Sequence, residues 1–194
     1  MSVELEINSE KTAVIVIDLQ KGITSIPTEP HSSGVVIENT VKILMEARRK
    51  SMPVFLVHVT PSPDLKDALH PVSETTFQSS GYNPSWSEFV PELNIQPSDF
   101  LILKHQWGAF YGTELDLQLR RRRIDTIILC GISTNFGVES TARFAYEFGF
   151  NQIFVSDAMA ARSREEHEFP LKYIFPRLGL IHTTDEVFKA LSNS

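Results

Sequence analysis

One cysteine, Cys130, stands in 194 residues, which excludes an internal disulfide framework and any cysteine-built metal cluster. No apolar stretch approaches the roughly 18 residues that a membrane span requires. The opening MSVELEINSEKT lacks a basic region followed by an apolar core, so no secretory signal is expected and the cytoplasm is the expected compartment. Positive charge is the scarcer sign: 18 Lys and Arg against 24 Asp and Glu leave a net −6, which argues against nucleic acid or an anionic membrane surface as partner. The basic run Arg120 to Arg123 reads as a solvated helix end, where positive charge suits the macrodipole. The six histidines, at 31, 58, 70, 105, 167 and 182, show no helical ligand spacing, and no Asp-x-His follows the second apolar run, so no metal is expected. The first apolar run leads into DLQKG instead of a Gly-x-Gly-x-x-Gly turn, so no dinucleotide, and no other cofactor, is expected.

What is present is a regular alternation. Thr12 to Ile17, Val54 to Val59, Asp99 to Leu103, Ile124 to Cys130, Asn151 to Ser156 and Leu178 to His182 are short apolar runs that read as strands. Helical periodicity lies between them at 34–50, 114–122 and 138–148, then from Ser163 to about Phe175 and from Asp185 to Leu191. Thr113, Ser163 and Thr183 or Thr184 are the expected caps. The pattern predicts an α/β fold: a six-stranded parallel sheet of order 3-2-1-4-5-6 covered on both faces, in one domain over 1–194. Residues 60–98 carry six prolines and no long periodicity, which predicts a lid or binding loop with short helical turns between Trp86 and Leu93.

The ligand pocket of such a sheet lies at the carboxyl ends of its strands, at the switch point between strands one and four. Asp18, Lys104 and the turn 131–137 converge there. A carboxylate beside an ammonium in a partly dry cleft suits proton transfer, and it equally suits a structural ion pair. Ser133, Thr134 and Asn135 suit either an anion-holding turn of backbone amides or a plain helix cap. Cys130 reads as a packed core thiol.

At these residues the chain resembles the isochorismatase-like hydrolase superfamily, which includes nicotinamidases and other cysteine amidohydrolases. The matching stretches are VIVIDLQKG at 14–22, LKHQWGAFYGTEL at 103–115, LCGISTNFGVESTARFAYEFGF at 129–150 and VSDAMAA at 155–161. The resemblance implies a three-layer α/β/α domain, assembly as a dimer or tetramer, and a cis peptide between Ile132 and Ser133. The Asp-Lys-Cys triad of the cysteine hydrolases falls on Asp18, Lys104 and Gly137, so the nucleophile is missing. Isochorismatases also lack it, and are thought to protonate a vinyl ether from the aspartate, with water completing the hydrolysis as pyruvate leaves. The Ser-Thr-Asn of the turn looks more like the amidohydrolase branch. The expectation is therefore a metal-independent hydrolase of a small anionic metabolite. Asp18 is its acid/base, Lys104 the charged partner, 132–137 the anion-stabilising backbone, and Gly137 leaves room for water or substrate. Gln20, Trp107, Phe110, Ile132, Ser133, Thr134 and Asn135 are the expected substrate-contacting positions. The alternative is a catalytically lapsed binding or assembly protein on the same fold.

Overall fold

The computed structural model describes residues 5–75 and 83–193. The first strand, β1 (Thr12–Ile17), leads through the one-turn helix α1 (Lys21–Thr24) to α2 (Ser33–Arg49) and β2 (Val54–Val59). A short α3 (Pro84–Ser87) and a 3-10 turn at Pro91–Leu93 precede β3 (Phe100–Lys104), α4 (Leu115–Arg121) and β4 (Thr126–Ile132). The chain closes with α5 (Glu139–Glu147), β5 (Asn151–Ala160), α6 (Arg164–Phe169), β6 (Leu180–His182) and α7 (Thr184–Asn193). All six strands are parallel, in the order β3-β2-β1-β4-β5-β6, so the topology read from the apolar runs is the one observed.

The central strand explains the layers. Every residue of β1 is buried, and its side chains alternate between two cores. Val14 and Val16 pack with Val36, Ile43 and Leu44 of α2 and with Val187 and Leu191 of α7. Ala13, Ile15 and Ile17 pack with Leu115 and Leu119 of α4, Ala142 and Ala145 of α5, and Phe175. Each aliphatic side chain so buried contributes about 1.5–3 kcal/mol, which holds both helical layers to the sheet. Register then sets the site: Ile17 lies opposite Val57 and Gly131, and Val59 lies opposite Lys104. The carboxyl ends of β1, β3 and β4 therefore emerge together.

Two expected elements differ. The fifth strand was expected to stop at Ser156 but runs to Ala160, because its ladder with β4 is interrupted: Leu129 faces Phe154, whereas Gly131 faces Met159. Within that bulge the Asp157 carboxylate accepts 2.7 Å hydrogen bonds from the amide and the hydroxyl of Thr184, capping α7. The helix expected from Ser163 to Phe175 does begin with Ser163, whose Oγ accepts from the Glu166 amide at 3.2 Å, but it ends at Phe169. Pro170 has no amide hydrogen to continue the ladder, and the chain passes into a wide turn at Pro170–Ile174 and a tight one at Phe175–Arg177.

Candidate active site

Asp18 sits one residue beyond β1 with φ +53°, a left-handed conformation that aspartate tolerates better than most residues. Its amide donates to Val57 O at 2.9 Å, which fixes the reversal against β2. Lys104, the last residue of β3, donates from Nζ to Asp18 Oδ2 at 2.7 Å and to Gln106 O at 3.0 Å. The pair is out of water: Asp18 is 5% exposed and Lys104 1%. The other carboxylate oxygen, Oδ1, is buried and has no hydrogen-bond partner among the described residues. Burial pushes the Asp18 carboxyl from its ordinary 3.8 up to about 6, and the neighbouring ammonium limits the rise.

The turn after β4 forms the opposite wall. Gly131 has φ +121°, and a Cβ there would meet Ile17 O at 2.1 Å, so only glycine lets β4 pass this close to β1. The Ile132–Ser133 peptide is cis. Ser133 and Thr134 were candidate caps, but neither caps a helix through its side chain. A wide turn at Thr134–Val138 intervenes before α5, and Ser133 O accepts instead from the amides of Phe136 and Val138, both at 3.2 Å. Ser133 Oγ donates to Asn135 Oδ1 at 2.9 Å, and Thr134 Oγ meets His167 Nδ1 at 2.8 Å. Thr141 ties this wall to the loop after β3, donating to Gly137 O at 2.7 Å and accepting from the Ala109 amide at 3.1 Å.

Gly137 does not leave the vacancy expected of it. A Cβ there would lie 2.8 Å from Ile17 Cγ2, 3.1 Å from Asp18 Oδ2 and 3.5 Å from Trp107 O. The side-chain direction is already filled by a branched aliphatic side chain and by the carboxylate itself. The turn thus packs directly on Asp18.

Among the expected contact residues, two lie elsewhere in role. Gln20 is fully buried, and its amide group is engaged: Nε2 donates to Val59 O at 2.9 Å and Ser87 O at 3.0 Å, while Oε1 accepts from the Val59 amide at 2.9 Å. It fastens the loop after β2 to the sheet, and has no amide hydrogen left for a ligand. Beside it, the Trp86 ring occupies the space that a side chain at Gly22 would need, and Lys21 pairs with Glu88. Phe110 belongs to the core, 4% exposed and packed on Phe148 and Phe150. Trp107 is 55% exposed, with its ring 4.8 Å from that of Phe136. Ile132 is buried within a hydrophobic core, so only its backbone reaches the turn. Cys130 is buried and its thiol is pushed up to about 12 by burial, which makes it inert as a nucleophile. Two residues the sequence did not single out, Thr141 and His167, brace the turn.

Among the described residues no group of three or more His, Cys, Asp or Glu is placed to hold a metal ion. A groove of about 500 Å³, lined by Leu5, Thr126, Tyr146, Asn151, Gln152 and Leu178 among others, opens at the amino ends of β4 and β5, on the far side of the sheet from Asp18. It holds no acid–base pair; the buried pair of Asp18 and Lys104 lies at the opposite, carboxyl end of the strands.

A doubly wound parallel sheet with a buried carboxylate–ammonium pair at its switch point is the framework of an α/β/α small-molecule enzyme. The isochorismatase domain matches residues 12–186, and the chain belongs to the isochorismatase family, whose members are hydrolases. It is 51% identical over 184 residues to an uncharacterised isochorismatase family protein of Bacillus subtilis (strain 168), covering 94% of this chain and 95% of that one. An isochorismatase family protein from Burkholderia thailandensis superposes with a TM-score of 0.93 at 44% identity, covering 96% of this chain and 98% of that one. A cysteine hydrolase from Pseudomonas syringae pv. phaseolicola 1448A superposes with a TM-score of 0.82 at 27% identity, covering 100% and 99%.

Proposed function

We propose that this hydrolase cleaves a small anionic metabolite by acid–base catalysis, without a covalent enzyme intermediate, and that a vinyl ether of the isochorismate type is the substrate class. The observation that carries the reading is the asymmetry of the Asp18 carboxylate. One oxygen is held by Lys104, the other has no partner among the described residues, and the group's pKa is raised to about 6. No side chain at Gly137 competes for the reacting atom. Protonation of the terminal carbon of the vinyl ether by Asp18 gives an oxocarbenium ion, water adds to it, and the hemiketal collapses to pyruvate and the freed alcohol. Lys104 keeps the resulting carboxylate stable until it is reprotonated, and the 132–137 backbone stabilises negative charge on the substrate. Trp107 and Asn135 border the substrate. The thioester route of a cysteine amidohydrolase has no nucleophile here.

The exposed aromatic side chains of Trp107, Tyr111, Phe144 and Phe148 support assembly as a dimer or tetramer, which light scattering measures. A single buried thiol is consistent with work in the cytoplasm.

The test is product release by wild type and Asp18→Asn side by side, scoring isochorismate for pyruvate and a panel of small amides for ammonia. Pyruvate release that vanishes in the variant is the expected result. The pH profile supplies the sign. An acid must be protonated, so kcat/KM should be flat below about pH 6 and fall about tenfold per unit above it. A rise through the same pH would instead make Asp18 a base. Ammonia release dependent on Asp18 would overturn the vinyl-ether class. Tight metabolite binding without turnover would point to the lapsed binding protein.

A further inference from the structure

We infer that His167 is a positioning residue for the turn 133–138, acting through the hydroxyl of Thr134. Thr134 is fully buried, and its Oγ lies 2.8 Å from Nδ1 of His167, itself 3% exposed. A buried hydroxyl without a partner is costly, and the imidazole supplies that partner from a different element, 33 residues along the chain. Burial and the nearby His31 and Arg164 push the His167 imidazole down to about 4, so at neutral pH the ring is uncharged and one of its nitrogens is free to accept.

The ring is held from several sides. The backbone of α6 starts at Ser163, and Glu166 reaches back to accept from the Arg162 amide at 3.2 Å. His31 stands edge-on to His167, with ring centres 5.7 Å apart at 88°. The segment carrying His31 is tied to the approach to α6 by paired backbone hydrogen bonds between Glu29 and Ala161, at 2.8 and 2.9 Å, and by the Arg164 amide on Glu29 Oε2 at 3.3 Å. Thr134 is one residue past the cis peptide and three before Gly137, which abuts the Asp18 carboxylate. A ring that fixes Thr134 therefore fixes the backbone resting on the acid.

What the turn does for catalysis rests on the proposed function, whereas amide hydrogen exchange does not. The amides of Phe136 and Val138 report the turn, because both bond to Ser133 O, and the Asp18 amide, bonded to Val57 O, reports the sheet. Thr134→Val and His167→Gln should each speed exchange at Phe136 and Val138 about tenfold, the scale of one hydrogen bond, with Asp18 unchanged. His167→Asn places its amide where Nδ1 stands and should stay within about threefold of wild type, whereas the longer Gln places it nearer Nε2. The double variant Thr134→Val/His167→Gln should match either single, since both remove the same bond. Equal effects of Asn and Gln, additive effects in the double variant, or faster exchange at Asp18 as well would reduce His167 to packing and overturn the inference. A wild type that hydrolyses neither isochorismate nor amides would defeat the proposed function and leave the exchange pattern to decide this question alone.

Discussion

Two regions beside the Asp18 carboxylate are built on different terms. The Asp18 and Lys104 wall is delivered by strands: three neighbouring carboxyl ends in register bring a carboxylate and an ammonium to 2.7 Å with their backbones locked in the ladder. The described parts of the connection between β2 and β3, 60–75 and 83–90, add no strand to the sheet. Residues 83–90 are held by a few isolated ties: backbone bonds from the Lys21 amide to Glu88 O and from the Val90 amide to Leu19 O, the Gln20 amide on Ser87 O, the Trp86 ring over Gly22, and the exposed pair of Lys21 and Glu88. The chemistry proposed for Asp18 thus sits where the sheet permits little change, beside a segment held by a few ties. That is a sound arrangement for a family that performs hydrolysis on different molecules.

The largest effect is expected from breaking the strand-built wall. Lys104→Met leaves a buried carboxylate without its counter-charge and should cost about 3–5 kcal/mol in denaturant unfolding, with turnover lost. Gln20→Leu keeps the volume but leaves the amide and carbonyl of Val59 and the carbonyl of Ser87 unpaired. It should cost about 2–3 kcal/mol and hasten proteolysis between β2 and β3, while the Asp18 profile with pH keeps its midpoint. Gly137→Cys introduces a thiol at a place already crowded by Ile17 Cγ2 and the Asp18 carboxylate. Overpacking should cost about 1–3 kcal/mol, and ammonia release from amides should stay at background. Adding Ile17→Ala should return part of that stability, which calorimetry reads directly. The smallest effect belongs to Lys21→Gln, an exposed pair worth no more than about 1 kcal/mol and weaker still in high salt. A Lys21 effect as large as that of Gln20 would erase the distinction between a fastening amide and a surface charge.

How much of this was legible depended on the range of the interaction. Strands buried on both faces announce themselves as unbroken apolar runs, so the sheet, its order and the emergence of Asp18 and Lys104 could be read directly. The same logic failed for Gln20, whose partners at Val59 and Ser87 are 39 and 67 residues away, so nothing beside it marks the amide as a strut. Phe110 sits in a loop rich in glycine and aromatics, yet it packs on the half-exposed Phe148 and the buried Phe150, a choice made only when α5 packs. Ser133 and Thr134 have the chemistry of caps, but the wide turn that follows diverts both hydroxyls to other partners. The absent side chain at Gly137 looked like a cavity because a sequence shows what is missing and not what moves in to replace it.

The lone thiol has a practical consequence. Cys130 lies in the middle of the sheet, and burial keeps it protonated at any ordinary working pH. Maleimide and disulfide reagents should therefore find the native chain silent. A cysteine introduced at an exposed position such as Trp107 or Leu69 would carry a fluorophore or spin label without background and with no native residue removed from the core.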